Sequence, residues 1–268
     1  LAQSKSGLEL MRQYAVLGSP IEHSKSPTIH TAAFDVLGVS AQYTRFEVSE
    51  NLKSWLESKP DFAGFSVTMP LKKQALDLAE RADPLAIATQ SANTLVRADS
   101  GWDAYNTDVF GIQQALKGFK FSSVCVLGTG ATARSAIVAM LEAGKRVSVW
   151  GRDAEKVSRL CAEFEIDAVE KLHIALSQPA VISTVVAGAL DDQLRGDYKG
   201  ILLDVIYHPW PTYLAGHFEG GKVISGLEML IWQAIGQQRL FNGNELDEPL
   251  SAENKIIQAV RNALSVPK

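Results

Sequence analysis

The stretch Ser122-Ser-Val-Cys-Val-Leu-Gly-Thr-Gly-Ala-Thr-Ala-Arg134 decides the fold. A short β-branched run ends at Gly128 and opens directly into Gly128-x-Gly130-x-x-Ala133. Thr132 to Ala143 then reads as an alanine-rich helix with Gly144 at its C′ position. Gly128 permits the tight turn, Gly130 lets the backbone approach a diphosphate, and Ala133 lets the helix lie close on the strand. The N–H groups at such a helix start face the anion, where the macrodipole favours negative charge. The same pattern alone also describes a strand–turn–helix with no ligand, so the next strand is decisive. Arg146-Val-Ser-Val-Trp150 ends at Gly151-Arg152-Asp153, roughly 20 residues past the turn, where a dinucleotide fold meets the adenosine ribose. The tip carries glycine and arginine rather than an acid for two ribose hydroxyls, a pairing that suits a 2′-phosphate. The stretch predicts a Rossmann-like dinucleotide-binding domain for NADP, with NAD as the alternative. Gly128, Thr129, Gly130, Ala131, Thr132, Ala133, Gly151, Arg152 and Asp153 are the expected cofactor residues.

Composition agrees with such a protein. A chain of 268 residues has room for two domains, each with its own core. Its 46% hydrophobic and 21% charged content is ordinary for a globular protein. A formal charge of −4 offers no basic footprint for nucleic acid or an anionic membrane. No apolar run approaches the ~20 residues of a membrane span, and Leu1-Ala-Gln-Ser-Lys-Ser6 has no apolar signal core. The missing initiator Met is read as numbering that begins inside a longer gene product. Cys125 and Cys161, with no CxxC, are expected as reduced, buried thiols of a cytoplasmic protein. The histidines at 23, 30, 173, 208 and 217 show no ligand spacing, so no metal is expected. A small-molecule substrate, no nucleic-acid or membrane partner, and a monomer or homodimer complete the expectation.

Ahead of the glycine turn, Tyr14-Ala-Val-Leu17 reads as a buried strand ending in Gly18-Ser-Pro-Ile-Glu-His-Ser-Lys-Ser-Pro27. A helix to Leu37 is expected to start there, with Ser26 as N-cap, Pro27 at N1 and Gly38 at C′. Ser24 shares that loop without a capping duty, and its hydroxyl suits a polyol. Gly64-Phe-Ser-Val-Thr-Met-Pro-Leu-Lys72 repeats the arrangement of strand, hydroxyl loop, proline and helix, with Pro70 at N1. Lys72 then falls in the first turn, where a cation opposes the dipole. A solvated lysine is the ordinary reading, but its place just after Thr68 and the strand end argues for a task. Thr94–Ala98 and Trp102–Tyr105 read as a hairpin through Asp99-Ser-Gly101. Asn106-Thr-Asp108 precedes a helix over about 109–116, which Asp108 could simply cap.

Strand ends thus deliver Ser, Thr, Lys, Asn and Asp to one edge, which in open α/β sheets is the ligand crevice. The N-terminal region is read as a polar pocket for a small hydroxylated molecule. After the dinucleotide strands, Gly226–Phe241 and the amphipathic Glu253–Leu264 exceed what that domain needs. They are expected to return to the N-terminal domain.

On these residues the chain resembles the shikimate dehydrogenase family from end to end. Ser24-Lys-Ser-Pro27, Val67-Thr-Met-Pro-Leu-Lys72, Asn93-Thr94, Asn106-Thr-Asp108, the glycine turn at 128–134, Asp204 to Tyr207 and Gly226 to Gln233 come in the family's order and at similar spacing. The resemblance implies an α/β fold of two domains, an N-terminal α/β substrate domain and a Rossmann-like dinucleotide-binding domain. The expected bounds are 1–108, completed by 233–268, for the first and 109–232 for the second. A closing hinge is expected near Phe110–Gly118 and Gly226–Gln233. The implied activity is reversible NADPH-dependent reduction of 3-dehydroshikimate to shikimate, in aromatic amino-acid biosynthesis. Lys72 and Asp108 are the implied catalytic pair. Ser24, Ser26, Thr68, Asn93, Tyr207 and Gln233 would surround the substrate, with Gly226 beside the cofactor.

The implied chemistry suits these residue types. A ketone receiving hydride becomes an alkoxide that needs a proton, which a lysine can donate while a carboxylate balances its charge. Hydroxyls and amides both donate and accept, as ring hydroxyls require. Four places in the chain, some of them several residues long, depart from the family pattern. Ser66 stands where asparagine is usual, Gln90-Ser-Ala92 where Gly-Ala-Val is usual, and Val186 where many members have proline. Trp150-Gly-Arg-Asp153 replaces the Asn-Arg-Thr of NADP users, which keeps Arg152 but sets a carboxylate near the expected 2′-phosphate. An NAD-preferring quinate/shikimate dehydrogenase is therefore the first alternative, although Ser26, where quinate-preferring relatives often carry threonine, favours shikimate. A folate-linked dehydrogenase and a non-catalytic ligand-binding relative are further alternatives. The serine pair argues against the former, and retention of both Lys72 and Asp108 against the latter.

Overall fold

The computed structural model describes residues 11–265; the reading of residues 1–6 lies outside them. In chain order the elements are β1 (Arg12–Gly18), α1 (Ser26–Leu37), β2 (Ala41–Glu47), α2 (Leu52–Glu57), β3 (Phe62–Val67), α3 (Lys72–Asp77), β4 (Arg81–Ala82), α4 (Pro84–Thr89), β5 (Thr94–Arg97), β6 (Trp102–Tyr105) and α5 (Thr107–Ala115). There follow β7 (Ser123–Leu127), α6 (Ala131–Glu142), β8 (Arg146–Trp150), α7 (Ala154–Phe164), β9 (Asp167–Ala168), α8 (Leu172–Leu176), β10 (Ala180–Ser183), β11 (Ile201–Asp204), α9 (Tyr213–Gly216), β12 (Lys222–Ser225), α10 (Gly226–Phe241) and α11 (Glu253–Ser265). The chain divides into two compact units, one of residues 1–81, 93–104 and 237–268, the other of 82–92 and 105–236. The crossings at 81/82, 92/93, 104/105 and 236/237 lie outside both stretches expected to act as a hinge.

In the first unit, β1 runs parallel to β2 and β3, because α1 and α2 carry the chain back across the sheet. β5 pairs antiparallel with β3 and turns into β6, with the Ala98 amide donating to the Gly101 carbonyl at 3.0 Å. The sheet order is β2-β1-β3-β5-β6-β4. Tyr14, Val16, Ile21, Phe34, Tyr43 and Phe241 form a buried cluster, in which the Tyr14 ring lies 5.1 Å from Phe34 and 4.7 Å from Phe241. α11 packs on α1 through a stripe that buries Ile256 and Val260. The last helix does return to the N-terminal elements.

The second unit holds a six-stranded parallel sheet in the order β12-β11-β10-β7-β8-β9. Counted from β7, this is the doubly wound order 3-2-1-4-5-6. Successive residues along each strand feed opposite cores, as a period of two requires. Val124, Val126, Val149, Ile182 and Leu203 face one core, and Cys125, Leu127, Val181 and Leu202 the other. Short strands buried on both faces therefore read as continuous apolar runs. Cys125 and Cys161 are free thiols, the first fully buried and the second only partly so. Among the described residues no helix is long and apolar enough to cross a membrane.

Candidate active site

In the first unit the register of the sheet gathers the sequence-expected polar residues. β1 and β3 are parallel, so their C-terminal loops leave the same edge. The Thr68 amide donates to Leu17 at 2.8 Å, and the Ser19 amide to Met69 at 3.0 Å. Gly18 is required here, since a Cβ would come within 2.8 Å of the Met69 carbonyl. Because β5 is antiparallel to β3, its beginning meets the end of β3, and Val67 donates to the Asn93 carbonyl at 2.7 Å. Ser24, Ser26, Thr68, Lys72 and Asn93 therefore share one edge of one sheet.

The capping role expected for Ser26 is not found. Lys25 already has helical φ and ψ and stands at the cap position with no side-chain cap. Ser26 is thus inside the helix, buried, and its hydroxyl does not reach forward to an amide. Its own amide instead donates to Ser24 Oγ at 3.3 Å. Pro70 likewise is not at N1 of α3. A turn closed by the Leu71 amide on the Thr68 carbonyl intervenes, and the helix begins at Lys72. Lys72 remains in the first turn and is half-buried. Asn93 is buried, and its Oδ1 accepts the Thr94 hydroxyl at 2.8 Å.

In the second unit Asn106, not Asp108, caps α5. Its Oδ1 accepts the Asp108 amide at 3.0 Å. Its Nδ2 donates to Thr89 Oγ1 at 2.7 Å and to the Ser91 carbonyl at 3.0 Å, so the divergent Gln90-Ser-Ala92 is tied to this same side chain. Asp83 accepts the Asn106 amide at 3.3 Å and caps α4; burial pushes its carboxyl up to about 6. Asp108 stands in the first turn, 5% exposed, with no capping duty. One turn on, Gly111 brings α5 against α10, where a Cβ would lie 2.9 Å from that of Gln233. Gln233 is buried and turns its Nε2 to the Leu230 carbonyl at 2.9 Å.

The glycine turn fits a dinucleotide diphosphate. Gly128 has φ +118°, a conformation that favours glycine. A Cβ at Gly130 would meet nothing within 4 Å, so the backbone there is open to a ligand. α6 starts at Ala131 with no side-chain cap on its amides, Thr132 follows half-buried, and Ala133 is fully buried beneath it. β7 and β10 are neighbours, so this turn opens at the point where strand order reverses. At the tip of β8, a Cβ on Gly151 would lie 2.8 Å from Thr129 Cγ2, which packs the two tips together.

Arg152 is exposed and belongs to no ion pair among the described residues. Asp153 caps α7 by accepting the Lys156 amide at 3.1 Å and pairs with the Lys156 ammonium at 3.3 Å. Those contacts hold its carboxyl below the usual range. Its charge is therefore aimed at the start of α7. Beyond β11, Asp204 accepts the Thr212 hydroxyl at 2.7 Å and the Ile206 amide at 3.2 Å, folding the loop that carries Tyr207. Burial raises both Asp204 and Tyr207 above their ordinary pKa values. Gly226 opens α10 against Val205, with no room for a Cβ. Among the described residues no group of three or more His, Cys, Asp or Glu could hold a metal.

Sequence reasoning did not single out His30 or Gln237. The signal was a Gln237-Gln238 pair that continues the apolar side of a long helix; both side chains are buried.

A family model described as the shikimate dehydrogenase substrate binding domain matches residues 16–95. A relative from Ignicoccus hospitalis, named shikimate dehydrogenase (NADP(+)), is 32% identical over 86% of this chain and 93% of its own. The crystal structure of shikimate dehydrogenase from Aquifex aeolicus is similar at a TM-score of 0.85 and 27% identity, over 96% of this chain and 98% of that one. A shikimate 5-dehydrogenase of Thermus thermophilus, solved in complex with NADP(H) and shikimate, is similar at a TM-score of 0.81 and 31% identity. The match covers 94% of this chain and 100% of that one.

Proposed function

This chain belongs to the shikimate dehydrogenase family, and from that premise we propose that it is an NADP-dependent shikimate dehydrogenase. It reduces 3-dehydroshikimate reversibly to shikimate, consuming one NADPH and one proton, and serves aromatic amino-acid biosynthesis. The observation that carries this reading is the gathering of Ser24, Ser26, Thr68, Lys72 and Asn93 at one sheet edge. Capping accounts for neither Ser26 there nor Asp108 in the second unit.

In this reading residues 1–108 with 233–268 bind substrate, and 109–232 bind the dinucleotide. Bound NADPH supplies the hydride. Lys72 polarises the ketone oxygen and donates the proton that the nascent alkoxide requires. Asp108 is the second member of the proposed catalytic pair, the carboxylate that complements a cationic proton donor. Ser24 and Ser26 take the substrate carboxylate, while Thr68, Asn93, Tyr207 and Gln233 take ring hydroxyls. Gly128 to Ala133 cradle the diphosphate, Gly151 and Gly226 border the cofactor, and Arg152 takes the 2′-phosphate as a bidentate partner. Asp153 borders that position but is turned to α7.

A cytoplasmic location belongs to the same proposal, supported by two free thiols, and so does a monomer or homodimer. The test is a spectrophotometric assay crossing shikimate and quinate with NADP and NAD. The highest kcat/KM is expected for shikimate with NADP. A higher value for NAD, or for quinate, would replace this reading with the NAD-linked alternative.

A further inference from the structure

We propose that Gln237 is a positioning residue for substrate recognition, one that sets the orientation of the Asn93 side chain through Thr94. This rests on the reading that Asn93 binds the substrate ring. All participants lie in the first unit and all are buried, with Gln237 only 1% exposed. The Gln237 amide makes four hydrogen bonds. Its Oε1 accepts from Ser66 Oγ at 2.7 Å and from His30 Nε2 at 3.0 Å. Its Nε2 donates to the Asn93 carbonyl and to Thr94 Oγ1, each at 3.0 Å.

The direction of every hydrogen in this relay is determined. Tyr43 donates its hydroxyl to Ser66 Oγ at 2.5 Å, so the Ser66 proton must go to Gln237. Gln238 Nε2 donates to His30 Nδ1 at 2.8 Å, so His30 carries its proton on Nε2 and gives it to Gln237. Oε1 of Gln237 thereby receives two protons, which fixes Nε2 as the end that faces Asn93 and Thr94. Thr94 Oγ1 accepts from Gln237 and must donate onward, to Asn93 Oδ1 at 2.8 Å. The Asn93 amide is locked with Oδ1 on Thr94 and Nδ2 turned the other way. A ring hydroxyl facing Asn93 is met by a donor whose orientation no longer has to be chosen on binding.

Ser66 and Thr94 are register partners on β3 and β5, so both present their hydroxyls to the same amide. The serine hydroxyl reaches the Gln237 amide oxygen of α10 at 2.7 Å.

The test is steady-state kinetics with shikimate and NADP on wild type, Gln237→Leu, Thr94→Val and the double variant, with thermal denaturation of each. Gln237→Leu and Thr94→Val are each expected to raise KM for shikimate ~10-fold, the scale of one misdirected hydrogen bond. The change in kcat should be smaller and KM for NADP should hold. The double variant should be little worse than the worse single one, since both break the same relay. If Gln237→Leu fails to fold, the near-isosteric Thr94→Val decides alone. A normal shikimate KM in folded Thr94→Val, or equal rises in both KM values, overturns the inference while wild-type turnover leaves the assigned reaction intact. Absence of shikimate turnover by wild type overturns the underlying reading, and this inference with it.

Discussion

Asn106 caps α5 by accepting the Asp108 amide at 3.0 Å, and the Asp108 carboxylate is thereby left out of the cap. The two residues share a motif in sequence but have separate tasks. Asp108→Asn is expected to lower kcat by roughly 10²–10⁴-fold, the range for a positioned proton-transfer system, with thermal stability nearly unchanged. Asn106→Ala should instead cost on the order of 0.5–2 kcal/mol from the lost cap, and more from the Thr89 and Ser91 contacts. Kinetics and urea denaturation of both variants separate the two tasks. A near-normal kcat in Asp108→Asn would refute the catalytic assignment.

Lys72→Ala is expected to remove most turnover, again by about 10²–10⁴-fold, while shikimate binding measured by calorimetry changes little. Other proposed substrate contacts, among them Ser24, Thr68 and Asn93, would still hold the ring. A rise confined to KM, with kcat kept, would make Lys72 a binding residue only.

Arg152→Ala should raise KM for NADP by roughly 10–100-fold, the loss of a charge-assisted contact to phosphate, and leave KM for NAD alone. Asp153→Thr should shift the NADP/NAD ratio by less than about threefold. The carboxylate is already turned to α7 and neutralised by Lys156, and threonine can also cap. A tenfold gain in NADP preference would show that Asp153 faces the ribose instead.

The stability of the first unit should fall on acidification because of His30. Burial holds its pKa down to about 3, against an ordinary 6.5. Below pH 6.5 the unfolded chain binds a proton there that the native state refuses, so stability present above 6.5 is lost as the pH falls toward 3. Between pH 7 and 5 this one group accounts for about 2 kcal/mol. Urea denaturation at both pH values should show a smaller loss in His30→Gln than in wild type by that amount. Equal losses would mean that His30 is charged in the native protein.

Gly111→Val should destabilise by about 1–3 kcal/mol through overpacking, and it should also reduce kcat/KM. The added methyls would push α10 away at Met229 and Gln233. Wild-type kcat/KM in a destabilised but folded variant would show that the close approach serves packing alone.

The glycine turn, the apolar strands flanking it, the hairpin and α10 were all legible in the sequence, because each depends on residues close along the chain. Periodicity, turn chemistry and glycine spacing are local quantities, and a run buried on both faces announces itself by composition. Short edge elements such as β9 and α8 gave no such signal, since tertiary neighbours hold them. Helix starts likewise depend on more than the residue type at the cap. Ser26 and Asp108 are both good cap residues, and only the backbone angles at Lys25 and the reach of Asn106 decided against them.

By itself the sequence determined which chemical groups the protein carries and in what order the strands deliver them. Only the tertiary structure decided which side chain of the Asn106–Asp108 motif caps the helix and which does not. The orientation of Asn93 depends on Gln237, 144 residues away in the chain. A hydrogen bond between residues so distant leaves no local pattern, and it exists only once β3, β5 and α10 are packed together.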